Sequence, residues 1–390
     1  EVYRPAFYLV PRDLPAQSRA QLPQAAPVLE LRDRVLLAAG GRGPALHREL
    51  ALLLATSGST GSPKLVRLSG KNLQSNARAI AEYLELTPEE RPITTLPMSY
   101  SYGMSIVNSH AQAGAPLLLT RRGILERGFW ETAAGEGATS LAGVPYTYQM
   151  LQRLGPAAMD LPRLRYLPQA GGRLPPELHR EFAAWAAETG RRFYVMYGQT
   201  EAGPRMGYLP PERAVEKCGA MGIPIPGGRF WLEDGDGRVL DSPEASGELV
   251  YQGENVAMGY ARTAQDLGRG DEWGGVLRTG DLARRDADGI YYIVGRKKRF
   301  VKLYGSRVSL DGAERLLCGR FPGAQFACVG RDGLLSVYVS PPSGEAAEGA
   351  ADYLAAQTRL PRGAFRVCPV EDIPRTEAGK TCYARLNGDG

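Results

Sequence analysis

Residues 56–64, TSGSTGSPK, limit what this chain can be more than any other stretch. Hydroxyl side chains alternate there with two glycines, and Pro63 and Lys64 close the run. The apolar run Leu52, Leu53, Leu54 leads in like a strand. Leu73, Ala77, Ile80 and Leu84 follow at helical spacing. Glycine lets successive backbone N–H groups turn toward an anion, hydroxyls add donors, and lysine adds a point charge. The residue types therefore suit a polyphosphate cradle. The widespread loop GxxxxGK[ST] is excluded, because Pro63 stands where its second glycine belongs. The dinucleotide pattern GxGxxG fails too, with Leu46 in its last position after Gly41 and Gly43. The same residues also suit a polar surface loop, and composition alone does not separate the two.

The chain has 390 residues, enough for two or three domains, with 43% hydrophobic and 23% charged residues. A net charge of +5 with both signs interspersed gives no reason to expect nucleic acid or a membrane surface. Cys218, Cys318, Cys328, Cys368 and Cys382 form no CxxC, so a zinc site or disulfide framework is not expected, and a reducing, cytoplasmic setting is. His47, His110 and His179 are scattered, which argues against a histidine metal site or a triad. No apolar run is long enough to span a membrane, and no signal peptide is expected.

Residues 1–50 are rich in Pro, Ala and Arg and weakly patterned. Beyond them strands and helices alternate. Strands are expected at 91–98, 116–120 and 193–197, and helices at 104–113, 146–154 and 176–189. This alternation predicts an α/β domain with a largely parallel sheet, followed by a β-rich portion at 221–260. A boundary is expected near Arg299. It divides a large domain, 1–298, from a small α+β domain, 299–390. In the small domain, helices are read at 310–317 and 350–360, strands at 326–329, 335–340 and 365–370, and a solvated loop running into a helix at 340–351.

Four further clusters lie downstream: Tyr197-Gly198-Gln199-Thr200-Glu201, Arg278-Thr279-Gly280-Asp281-Leu282, Gly295-Arg296, and residues 374–380, PRTEAGK. Each alone has an ordinary reading as a turn, a cap or a surface lysine. In this order, with Gly247-Glu248-Leu249, Gly259-Tyr260, Asp288-Gly289 and Gly305-Ser306-Arg307-Val308, they resemble the adenylate-forming superfamily. That superfamily holds acyl- and aryl-CoA synthetases, nonribosomal adenylation domains and luciferases. Only 55 residues precede the loop, so the chain resembles a compact or N-terminally shortened member.

The resemblance implies two steps. A carboxylate takes AMP from ATP, and a phosphopantetheine thiol, of CoA or an acyl carrier protein, then takes the acyl group. Such chemistry rests on positioning and charge neutralisation. It implies that Thr56, Ser57, Gly58, Ser59, Thr60, Gly61 and Lys64 hold the β- and γ-phosphates. Tyr197 and Gly198 with Gly171 and Gly172 form the adenine pocket, and Thr200 bonds the α-phosphate. Glu201 binds Mg²⁺. Asp281 accepts the ribose hydroxyls, Arg296 supports that side, and Lys380 neutralises the reacting oxygens. Lys302 and Gly305 form the face used in the thiol step, and Arg299 stands at the hinge position. Tyr100, Tyr102 and Gly103 line the acyl pocket within residues 96–105. That segment has no acid to meet an ammonium, so a neutral aryl or fatty acid is expected. A non-thiol acceptor and a silent binding protein of the same fold remain the alternatives.

Overall fold

The computed structural model describes residues 7–9, 29–32, 35–38, 45–56, 64–155, 159, 161–297, 299–331, 333–376 and 379–386. By contacts the chain divides into two units, residues 1–230 with 250–277, and residues 231–249 with 278–390.

In the first unit, the strand Leu50–Thr56 pairs antiparallel with Lys64–Ser69, with Leu54 opposite Val66 and Thr56 opposite Lys64. Both strands are apolar because both faces are covered. Leu50, Leu53 and Leu65 pack with Ala261 and Leu267. Leu52, Leu54, Val66 and Leu68 pack with Ala257. Burying each such leucine contributes about 1.5–3 kcal/mol. Phe7–Leu9 extends this sheet in parallel on one side, and Gly259–Ala261 extends it antiparallel on the other.

A six-stranded sheet forms the rest of the unit's framework. Its order is Ile223–Pro224, Arg205–Leu209, Arg192–Gly198, Tyr166–Gln169, Ser140–Leu141, Pro92–Ile93. The last four are parallel, and the first two run antiparallel to their neighbours. The helices Pro145–Leu154 and Pro176–Glu188 connect successive parallel strands and open on proline, whose missing N–H costs nothing at that position. The α/β reading with a largely parallel sheet is thus realised.

Some element limits differ from the sequence expectation. Of residues 91–98 only Pro92–Ile93 is strand, because Thr94 Oγ1 and Thr95 Oγ1 turn back onto the carbonyls of Leu118 and Ala142. Residues 116–120 make a single bridge, Leu118 to Ile93. The helix expected at 104–113 is Ser101–Gln112. The loop expected at 340–351 runs into a helix as read, but the helix starts earlier, at Glu345 within Glu345–Thr358, and Ala350 and Ala351 are buried.

A sheet with most of its residues in the second unit runs in the order Arg229–Glu233, Ser246–Gln252, Val276–Arg285, Tyr291–Arg296. The hairpin Phe300–Leu303/Ser306–Ser309 turns through Tyr304 and Gly305, both at positive φ (49° and 81°), as a two-residue turn between twisted strands requires. Beyond it, Gln325–Arg331, Leu334–Ser340 and Phe365–Pro369 form a sheet covered by the helices Leu310–Arg320 and Glu345–Thr358. Leu317, Cys328, Leu335, Val337 and Leu354 lie fully buried between these layers. Among the described residues, no helix is long and apolar enough to cross a membrane.

Candidate active site

The strand Arg192–Gly198 delivers Tyr197 and Gly198 to its end, and a single 3₁₀ turn, Thr200–Ala202, follows. Gln199 N–H donates to Pro204 O at 2.9 Å, so the chain doubles back at once into the strand Arg205–Leu209. A Cβ on Gly198 would collide with Pro204 O, so only glycine allows this approach. Tyr197 packs its ring against Phe230, 6.3 Å between centroids, and Gln199 Nε2 reaches the Tyr197 hydroxyl.

Two buried asparagines hold this turn and a third holds the neighbouring segment 254–256. Asn76 Nδ2 donates to Arg205 O at 2.8 Å, and Asn255 Nδ2 donates to Ala202 O and Arg205 O at 2.7 and 2.8 Å. Asn72 donates to Glu254 O and Val256 O while its Oδ1 accepts from Ser69 N–H, capping the helix Gly70–Leu84. Each replaces a backbone partner that an irregular, buried segment would otherwise lack. Sequence reasoning missed all three. For Asn72 and Asn76 the one sequence signal is a polar residue inside otherwise apolar helical spacing, and Asn255, in a turn, has none.

Two hydroxyls meet beside the turn. Ser101 Oγ lies 3.1 Å from Thr200 Oγ1. Glu201 Oε1 accepts a hydrogen bond from the Tyr260 hydroxyl at 2.8 Å, and Glu201 O accepts from Ala257 N–H. The Lys64 ammonium stands over the Tyr260 ring, 5.3 Å from its centroid. Burial, and then the Glu201 charge, push the Tyr260 hydroxyl well above its ordinary pKa, so it remains a donor. Thr56 and Lys64 face each other as the last and first paired residues of their strands. Ser57, Gly58, Ser59, Thr60 and Gly61 lie outside the described residues.

Gly171 and Gly172 follow the strand Tyr166–Gln169, and Gln169 Nε2 donates to Gly172 O at 2.9 Å. Gly171 has φ +85°, and a Cβ there would meet the Tyr100 hydroxyl. Burial pushes the Tyr100 phenol up to about 12. Tyr102 is 2% exposed and donates to Pro168 O at 2.7 Å. Gly103 gives the helix room, since a Cβ would run into Pro97 O. Tyr100, Tyr102 and Gly103, expected together in an acyl pocket, thus also pack the start of one helix.

Tyr102 has a neighbour that sequence reasoning did not single out. Arg205 is 2% exposed, and its guanidinium lies over the Tyr102 ring, 4.5 Å from the centroid.

The second unit carries the remaining expected residues. Asp281 is buried and pairs across the sheet with Arg296, whose Nε donates to Asp281 Oδ1 at 3.0 Å. Asp281 N–H donates to Thr279 Oγ1, and Thr279 Oγ1 donates to Leu249 O. Next to them Lys297 Nζ donates to Glu248 Oε2 at 2.6 Å. Arg299 is anchored: its guanidinium meets Asp311, donates to Glu314 Oε1 and Cys328 O at 2.9 Å each, and stacks on Tyr383. Burial pushes the Glu314 carboxyl up, and Arg299 opposes that shift. Lys302 is exposed opposite Arg307 on the hairpin whose turn holds Gly305. Lys380 is exposed, and its carbonyl accepts from Thr376 N–H at 2.8 Å.

Residues 13–261 match the family model of the AMP-binding enzymes. A sulfoacetate–CoA ligase of Cupriavidus necator is 32% identical over 283 residues, covering 72% of this chain and 54% of that relative. An indoleacetate–CoA ligase of Aromatoleum aromaticum is 29% identical over 352 residues, covering 87% of this chain and 67% of that relative. The chain therefore spans between about half and two thirds of the length of these relatives. The fold matches that of o-succinylbenzoate coenzyme A synthetase from Bacillus subtilis in complex with AMP. The TM-score is 0.68 at 23% identity, over 86% of this chain and 69% of that one. The chain belongs to the family of AMP-binding enzymes.

Proposed function

We propose that the chain uses ATP to activate a carboxylic acid as an acyl-adenylate and then passes the acyl group to a phosphopantetheine thiol, that of CoA or of an acyl carrier protein. In the first step a carboxylate oxygen bonds to the α-phosphorus, and the bond to the bridging oxygen breaks to release pyrophosphate. In the second, the sulfur bonds to the acyl carbon and AMP departs.

The observation that carries this reading is the Thr200–Glu201 turn. It presents a hydroxyl and a carboxylate side by side, on a backbone pinned by Asn76 and Asn255. Thr200 donates to an α-phosphate oxygen, and Tyr260 orients the Glu201 carboxylate. Among the described residues no group of three or more His, Cys, Asp or Glu could hold a metal ion alone. One carboxylate fits Mg²⁺, which binds through one or two carboxylates plus substrate phosphates. When bound, the ion withdraws negative charge from the phosphate oxygens. Residues 56–64 hold the outer phosphates, and Tyr197 with Gly171, Gly172 and Gly198 receives the adenine. Asp281 and Arg296 take the ribose, and Lys380 neutralises the reacting oxygens. The division at 298/299, with Arg299 as joint and Lys302 and Gly305 serving the thiol step, belongs to the same proposal.

Acid-dependent pyrophosphate release over a panel of carboxylic acids tests the first step, and thioester detection with CoA and with holo-carrier proteins tests the second. Pyrophosphate release without any thioester would instead favour a non-thiol acceptor. Silence with every acid would contradict adenylation.

A further inference from the structure

Arg205 stands at the start of its strand, in register with Gly198. Its side chain turns into the interior of the first unit, beneath the helix Ser101–Gln112. There Nη2 donates to Ser105 Oγ at 3.2 Å, and Tyr102 lies under the guanidinium. Nε is buried with no hydrogen-bond partner. Among the described residues no carboxylate forms an ion pair with Arg205.

The void beside it is lined by Arg205, Tyr102, Tyr166, His110 and three serines, Ser105, Ser109 and Ser140, with otherwise apolar neighbours and no acid. His110 supplies no charge, because burial pushes its pKa down to about 4. A guanidinium cannot shed its proton to escape burial. Stacking on the Tyr102 ring and the nearby Tyr83 hydroxyl recover only part of the lost hydration. Buried charge without a counter-charge is strongly unfavourable, and an apolar side chain of similar volume would fill the space at less cost. The position also bears on the reaction. Ser101 touches Thr200, and Ser105 lies one helical turn deeper, about 6 Å at 1.5 Å per residue.

We infer that Arg205 is a specificity-determining residue that selects acids carrying a second anionic group, a carboxylate or sulfonate at the end remote from the carboxylate being activated. The inference rests on the proposed adenylation and names the substrate class of that site. The void has a volume of about 10 Å³. That is the space of one water or one anionic oxygen. The body of the acid then follows the first turn of the helix toward Ser101 and Thr200, and Tyr102 is the side chain that must give way. The absence of an acid within residues 96–105 still argues against an amino-acid substrate. The cation lies outside that segment, so the segment by itself predicts a neutral acid.

The test compares succinate, glutarate and adipate with butyrate, valerate and hexanoate, using the chain and its Arg205→Met and Arg205→Lys variants. Pyrophosphate release gives kcat/KM, and thermal shift by glutarate against valerate reads binding without turnover. The expected result is a preference for at least one dicarboxylate over its neutral partner by on the order of 10² or more, since a site built to pair a polar group rejects the analogue lacking it by up to about 10⁴–10⁵. Arg205→Met should abolish that preference through KM while neutral acids keep or gain rate, and Arg205→Lys should restore part of it. Equal loss with every acid, tracking a fall in melting temperature, would mean that Arg205 is only structural and overturn the inference. So would a wild-type preference for the neutral series. If no acid releases pyrophosphate, adenylation fails as a reading, while a glutarate shift lost in Arg205→Met would still uphold the anion subsite. No such shift would overturn it as well.

Discussion

Tyr260 donates its hydroxyl hydrogen to Glu201 Oε1 across 2.8 Å, joining the fourth strand of the Leu50–Thr56 sheet to the turn at the end of the Arg192–Gly198 strand. A hydrogen bond to a charged group contributes about 1.5–3 kcal/mol. Its loss leaves Glu201 free to rotate, so Tyr260→Phe is expected to slow adenylation by about tenfold or more and to raise the magnesium concentration needed for half-maximal rate. Pyrophosphate release measured across a magnesium series checks this. An unchanged magnesium curve would separate Tyr260 from the metal carboxylate.

Lys380 is exposed, and backbone bonds of Thr376 and Gly379 close the turn around it. Lys380→Ala should therefore keep the melting temperature while lowering acid-dependent pyrophosphate exchange by about 10²–10³, the usual loss for one charge-stabilising contact in a transition state. Exchange at the wild-type rate would remove Lys380 from the first step.

Arg299 compensates two half-buried to buried carboxylates, Asp311 and Glu314. Arg299→Met leaves both without their cation, and removing one partner from a buried ionic cluster costs about 3–5 kcal/mol. Denaturant unfolding of the variant is expected to show an early transition for the second unit. Arg299→Lys should recover a fraction only, because one ammonium cannot reach Glu314, Asp311 and Cys328 O together. Coincident unfolding curves for wild type and Arg299→Met would contradict the cluster's role.

His110 makes stability depend on acid. Its Nδ1 lies 2.8 Å from Ile106 O, a pure acceptor, so Nδ1 carries the proton and Nε2 accepts from the Tyr166 hydroxyl at 3.0 Å. Burial lowers the folded pKa from 6.5 to about 4. The unfolded chain takes the proton first, so the contribution is complete above pH 6.5 and is lost as pH falls through 4. Its size is about 3 kcal/mol at most, from 1.36 kcal/mol per pKa unit. Urea unfolding at pH 7 and pH 4.5 should show a smaller pH effect in His110→Gln than in wild type, whatever the variant's baseline. Parallel losses in both would place the acid sensitivity elsewhere.

What could be read in advance follows from range along the chain. Leu73, Ala77, Ile80 and Leu84 announce their helix because spacing is local, and glycine at 305 announces a turn because φ is local. The strand at 91–98 was overestimated because Thr94 and Thr95 look strand-like yet spend their hydroxyls on carbonyls of Leu118 and Ala142. The roles of Asn76 and Asn255 are hidden for a related reason, since their partners, Ala202 and Arg205, are 50 or more residues away. Arg205 is the sharpest case. In the sequence it is one of many cations, and only burial without a carboxylate makes it conspicuous.

Arg67, fully buried on the strand Lys64–Ser69, gives its donors to the carbonyls of Met258, Tyr260, Arg269 and Gly270 and to the Glu272 carboxylate. These partners lie 191 to 205 residues downstream. Closing so long a loop carries an entropy cost before any contact forms. The sheet that frames residues 56–64 can thus be completed only after residue 272 has been synthesised, and a nascent chain ending short of it holds a guanidinium with nowhere to go. Maturation of this region is therefore a late event on the ribosome, and fragments cut between 70 and 258 should be recovered as aggregates, not as working halves.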